Sequence, residues 1–166
     1  MDNKRQNYIY PLVIMGILFF VFGVMTWASA ILIPYFKVGI ELNNAQAGLV
    51  AVASFIAYFI LSIPASSFLN KTGYKKGLII GLLIMSVGAL MFIPAAIMRS
   101  YSLFLIALFV MSIGIVLLQT AANPYVSIIG PTESTAQRMG FMGMANRFGG
   151  ILTQVILSSI LLSDAE

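Results

Sequence analysis

Apolar residues run along this chain in long uninterrupted blocks separated by short polar clusters. There are 31, 29 and 22 uncharged residues between Arg5 and Lys37, Glu41 and Lys71, and Lys76 and Arg99, and a still longer run lies between Arg99 and Glu133. A helix needs only ~20 apolar residues to cross a bilayer. The blocks are continuously apolar and do not alternate apolar with polar, so they do not read as strands of a closed barrel. Dividing the chain at its charged and turn-like clusters predicts five helices, near Tyr10–Pro34, Ala45–Leu69, Lys76–Met98, Leu103–Ser127 and Arg138–Leu162. Several exceed the minimum length, which permits tilt without fixing an angle. The expected fold class is an all-α membrane protein, with residues 1–166 forming one transmembrane domain.

Composition narrows the picture. Charged residues make up 8% of the 166 and hydrophobic ones 60%, whereas a soluble domain carries ~25% charge. That excludes an ordinary soluble enzyme, a nucleic-acid-binding domain and a disordered chain. There is no Cys and no His, so thiolate and imidazole metal sites are absent, as is the side chain best suited to proton transfer near neutral pH. The formal charge of +4 follows membrane topology, with no sign of a nucleic-acid partner. With the N-terminus in the cytoplasm, Lys4, Arg5, Lys71, Lys75, Lys76 and Arg138 lie inside, and Lys37 and Arg99 outside, in the sense of the positive-inside rule. Lys4-Arg5 followed by Ala28-Ser29-Ala30 looks superficially like a signal peptide. The apolar stretch from Tyr8 through Trp27 exceeds the ~7–15 residues of a signal core and continues as Ile31-Leu32-Ile33, so the first helix is expected to stay. The expected location is the plasma membrane, or the inner membrane of a Gram-negative cell.

Polar groups inside the spans carry the most information, because each needs a partner or water in the bilayer. In the fourth span Ser112, Gln119 and Asn123 recur on one helical face, with Thr120 beside them. Pro124 removes a backbone donor and favours a kink. Two readings fit: a cavity wall whose amides bind hydroxyls, or interhelical hydrogen bonds worth ~0.6 kcal/mol each. The fifth span carries Asn146, Arg147, Gly150, Thr153 and Gln154. Arg147 lies ~13 Å beyond Arg138 along the axis, and no acidic residue occurs in any predicted span. It therefore faces water, carbonyls, a substrate or another part of the protein, or else it snorkels to the interface. Trp27, the single Trp, fits either an interfacial anchor or a sugar-stacking ring, and Thr26 and Ser29 share a face beside it. Ser54, Tyr58 and Ser62 recur at spacings of four before Pro64. Gly77 with Gly81, and Gly149 with Gly150, read as close-packing positions. No catalytic constellation is present, and neither an enzyme activity, a cofactor nor a metal is expected.

Specific stretches carry a resemblance. Phe19-Phe20 through Thr26-Trp27, Leu32-Ile33-Pro34-Tyr35, Gly73-Tyr74-Lys75-Lys76-Gly77 and Phe92-Ile93-Pro94-Ala95-Ala96 contribute, and Leu118-Gln119-Thr120-Ala121-Ala122-Asn123-Pro124-Tyr125-Val126 with Gly130-Pro131 is the most specific. In these the chain resembles the N-terminal half of the fucose/glucose–galactose permease branch of the major facilitator superfamily. The resemblance implies part of an N-terminal six-helix half, in a transporter that binds sugar between two such halves. It implies hexose transport by alternating access, with Gln119, Asn123, Trp27, Asn146 and Arg147 as the substrate-binding set. Arg147 would line or gate the cavity and Trp27 would stack on the sugar. The loop motif after the second helix departs from the superfamily pattern at Asn70 and Ser66, where Asp and Gly are usual. Proton-coupled fucose permeases carry acids at the positions of Ala30 and Gln119, which implies sodium-coupled symport or simple facilitation here. The implied partners are the lipid bilayer, a sugar, sodium and a C-terminal half beyond these residues, the chain reading as truncated or split. The alternative is a non-transporting membrane subunit or interaction partner, or an inactive permease fragment.

Overall fold

Stretches with no charge and few turn residues can satisfy every backbone hydrogen bond only by coiling on themselves, and the chain is built accordingly. The computed structural model describes residues 8–39 and 43–163. Among the described residues it contains α1 (Ile9–Gly39), α2 (Asn44–Thr72), α3 (Tyr74–Ile97), α4 (Tyr101–Ile128) and α5 (Thr135–Ser163), with a single 3-10 turn at Thr132–Ser134. Each helix passes the bounds expected from the sequence at one end or both. Charge marks where the apolar span ends, whereas backbone hydrogen bonding continues into the polar interface. Ile9–Ile31, Tyr74–Ile97 and Tyr101–Ile128 are long and apolar enough to cross a membrane by length and composition.

The connections are short and their geometry is specific. The basic cluster around residues 70–76 is almost wholly helical: Gly73 alone separates α2 from α3, at φ 80°, a backbone conformation that glycine adopts without strain. Its N–H donates to the Leu69 carbonyl at 2.8 Å. Lys71 thus lies in the last turn of α2 and Lys75 and Lys76 in the first turn of α3. At the other end of α3, Arg99 takes φ 46°. Its N–H donates to the Ala96 carbonyl and that of Ser100 to the Ala95 carbonyl, both at 3.2 Å, the pattern of a Schellman stop.

The chain divides into two compact units, one formed by Met1–Leu32 with Asn123–Glu166 and the other by Ile33–Ala122. In the second unit α3 and α4 approach until their backbones nearly touch. A Cβ added at Gly88 would stand 2.5 Å from the Met111 nitrogen, one at Gly81 would stand 2.8 Å from Leu118 Cγ, and one at Gly114 would meet the Met85 backbone. Gly77 gives way to the Leu69 side chain of α2. Around this seam Met85, Phe104, Met111 and Leu118 are buried, and the Phe92 and Phe104 rings meet edge-on at 5.4 Å.

In the first unit α1 packs on α5. Gly23 lies against the Asn146 carbonyl and Gly149 against the Phe20 carbonyl, and the Phe20 and Phe148 rings stand 6.3 Å apart. The α4–α5 connection is held by Arg138, which is 3% exposed. Its guanidinium donates to the carbonyls of Val126 at 3.3 Å, Ser127 at 3.2 Å and Pro131 at 2.7 Å, and to the hydroxyls of Ser134 at 2.5 Å and Thr135 at 3.0 Å. The sequence reading counted Arg138 among the basic residues on the cytoplasmic side of the membrane; the structure adds that its side chain is buried as a clamp. Its charge is spread over three carbonyls and two hydroxyls. Gly130, at φ 103°, brings the backbone beneath it beside the Tyr8 ring.

Candidate functional site

On α4 most side chains near Pro124 are buried, including Leu117, Leu118, Ala121 and Ala122, but Gln119 and Asn123 are exposed. They follow one another by a single helical turn on the same face. Among the described residues neither side-chain amide has a hydrogen-bond partner. Each therefore keeps two donors and one acceptor free. In a membrane-spanning helix such amides need water, a ligand or another part of the protein. Ser112, placed on the same face by spacing, is instead 3% exposed and is packed away from this open strip. Helical spacing reports the angle around an axis but not which neighbour covers it. Thr120 also leaves the set, since its hydroxyl donates back to the Val116 carbonyl at 2.7 Å.

The second group of expected residues comes together in the unit built from α1 and α5. Trp27 is half-buried, and its indole lies over Gly150, where an added Cβ would collide with the ring. The Arg147 guanidinium carbon stands 6.0 Å from the Trp27 ring centroid, at the outer limit of a cation–π contact. Asn146 donates from Nδ2 to the Phe19 carbonyl at 3.3 Å, which fixes its amide and leaves Oδ1 as an acceptor. Among the described residues the sole acid is Glu133, in the 3-10 turn, and the indole is the partner the structure gives Arg147. Arg147 also borders an open groove of about 710 Å³ along α5, with Gly143, Met144, Phe148 and Ile151.

Several hydroxyls singled out by the sequence turn inward on their own helices. Thr26 donates to the Phe22 carbonyl, Ser29 to that of Met25 and Thr153 to that of Gly149, each at 2.8 Å, and Ser62 to that of Phe59 at 3.0 Å. These bonds satisfy the hydroxyl locally. The Ser54 side chain lies outside the described residues. Sequence reasoning missed the seat that Gly150 makes for Trp27 and the Phe19 carbonyl as the partner of Asn146. Both are contacts between α1 and α5, more than a hundred positions apart in sequence, and no local pattern announces them.

The sequence matches the model of the Major Facilitator Superfamily over residues 15–165. The chain belongs to the major facilitator superfamily. Within it, the chain is 40% identical over 163 residues to a glucose/galactose transporter of Brucella abortus biovar 1 (strain 9-941), covering 98% of this chain and 40% of that protein. It is likewise 40% identical over 162 residues to the L-fucose-proton symporter of Escherichia coli K12, covering 98% of this chain and 37% of the relative. The crystal structure of the E. coli fucose:proton symporter superposes with a TM-score of 0.82 at 38% identity, over 94% of this chain and 37% of that one. The chain thus spans about 40% of the length of the curated relatives it matches. Its fold is part of an N-terminal half of a superfamily transporter. These superfamily relatives are transporters, and the long apolar helices agree with a membrane location.

Proposed function

We propose that this chain is the N-terminal portion of a permease that carries a hexose such as glucose or galactose across the membrane by alternating access. The observation that carries the reading is the pair of free, exposed amides, Gln119 and Asn123, one turn apart on a helix otherwise buried around them. Similarity to sugar transporters supports a ligand rich in hydroxyl groups. A sugar hydroxyl is both donor and acceptor, which suits an amide offering both. Asn146, with its Oδ1 still free, and the Trp27–Arg147 pair are assigned to the same sugar-binding set. The indole offers an apolar face to a sugar ring and the guanidinium offers donors to its hydroxyls.

Sodium-coupled symport or facilitation fits better than proton coupling of the fucose type. Ala30 and Gln119 occupy the positions where acids are expected in the proton-coupled permeases, and no carboxylate lies within α1–α5 among the described residues. A cytoplasmic N-terminus is supported by the Lys and Arg distribution, which stays five against two when the buried Arg138 is set aside.

The test is uptake of labelled glucose and galactose by proteoliposomes holding the full-length permease, with and without an inward sodium gradient. Hexose uptake is expected, with accumulation driven by sodium or equilibration without it. Absence of hexose uptake overturns the substrate class, and accumulation driven by a proton gradient alone overturns the coupling. Gln119→Ala removes donors and an acceptor that are stronger out of water, and is expected to cut kcat/KM for hexose by about tenfold to a hundredfold, the equivalent of ~1–3 kcal/mol. Unchanged uptake kinetics in that variant would sink the assignment of Gln119.

A further inference from the structure

Away from the sugar-facing residues, the unit formed by Ile33–Ala122 carries an apolar slot on its surface. Leu61 and Phe68 of α2, Ile80 and Ile84 of α3, and Ile113 and Leu117 of α4 contribute to its walls, with a volume of about 230 Å³. From Leu61 to Phe68 the slot is ~10 Å long at 1.5 Å per residue, and its walls offer no charged group. On the same two helices Phe59, Ile63, Ile79 and Leu83 are exposed apolar side chains.

The slot has a direction. α2 and α3 join at Gly73, and Gly81 packs on Leu118 while Gly88 packs on Met111. Phe68, Ile80 and Leu117 therefore form the end near Gly73, and Leu61, Ile84 and Ile113 the far end. Lys71 lies three residues beyond Phe68, and Lys75 and Lys76 four or five before Ile80, all three exposed. Among the described residues this unit contains no acid, and none of the three lysines has a hydrogen bond or ion pair. Lys75 and Lys76 also sit in the first turn of α3, where the helix dipole adds positive potential and favours no cation. An apolar slot whose near end lies three to five residues along the helices from three unpaired ammonium groups is complementary to a single amphiphile with a negative head.

We propose that the slot between α2, α3 and α4 holds an acyl chain of an anionic phospholipid whose phosphate headgroup is bound by Lys71, Lys75 and Lys76. The occupant is a lipid and not free phosphate, because the apolar slot continues the lysine cluster into the hydrocarbon. The head interaction is screened by salt and the tail interaction is not.

The test is native mass spectrometry of the full-length protein released from mixed micelles of phosphatidylglycerol and phosphatidylcholine with identical acyl chains. One phosphatidylglycerol is expected to be retained in about tenfold preference, falling toward parity in high salt. The triple variant K71Q/K75Q/K76Q is expected to lose the preference, and Ile84→Trp, which fills the slot, to lose retention of both lipids. A phosphatidylglycerol carrying a photoreactive group mid-chain is expected to crosslink to Leu61, Ile84 and Ile113, at the far end of the slot, in the unmodified protein, an arm that needs no variant to fold. Equal retention of the two lipids, a preference that survives the triple substitution, or crosslinks spread evenly over exposed helix faces overturns the proposal. Displacement of the lipid by glycerol phosphate would overturn it in favour of a free-phosphate site.

Discussion

Two helix–helix seams in this molecule are built from the same device and used differently. The α3–α4 seam and the α1–α5 seam both rely on glycines that let backbones approach closely, at Gly81, Gly88 and Gly114 in one and at Gly23, Gly149 and Gly150 in the other. The first is lined by Met85, Leu118 and other apolar side chains. The second carries Asn146, the Trp27 indole and the Arg147 guanidinium. Small residues therefore mark where helices meet but not what the meeting is for. In a bilayer, where no hydrophobic force draws helices together, close packing alone suffices for the first seam. The second gives up part of its contact to groups that stay available on one side.

The comparison can be broken at four points. The largest effect is expected from Gly88→Leu, because the new side chain would collide with the Met111 backbone, which has nowhere to retreat. A loss of ~3 kcal/mol or more, read as a collapse of the thermal midpoint in detergent or as absent folded protein, is the expected outcome. Arg138→Met keeps most of the length but strips the donors from three carbonyls and two hydroxyls. It should cost ~2–4 kcal/mol, and an unshifted midpoint would show that the clamp is dispensable. Gly150→Ala should cost less, ~1–2 kcal/mol, because its obstacle is a side chain that can rotate. Trp27 is the single Trp, so its emission maximum should shift in that variant. The smallest effect belongs to Arg147→Gln, ~0.5–1 kcal/mol from the lost cation–π contact, with a change in Trp27 fluorescence and almost none in the midpoint.

Much of the fold was legible in the sequence because the bilayer leaves so few ways to satisfy a backbone, and charge-free runs locate the spans. Gly77, Gly81, Gly149 and Gly150 were legible as packing positions for a related reason: little else explains small residues in a span. Arg138 was not. Hydropathy scores a guanidinium identically whether it reaches a headgroup or folds back on carbonyls twelve residues earlier, and only the turn at Gly130 decides between them. The burial of Ser112 could not be read from spacing, because a helical wheel gives direction without neighbours. The amide pair was legible as a type and a spacing, while its freedom from internal partners depends on side-chain contacts that spacing does not encode.

The Arg138 clamp has a consequence for the order in which the chain matures. Val126 and Ser127 lie in the last turn of α4, where helix carbonyls lack intrahelical donors. The donor that closes them is encoded eleven and twelve residues downstream. When α4 leaves the ribosome its end is therefore still open, and it is sealed only once the first turn of α5 has been synthesised and has turned back. The two helices mature as a pair, joined through the Gly130-Pro131 bend that Arg138 spans.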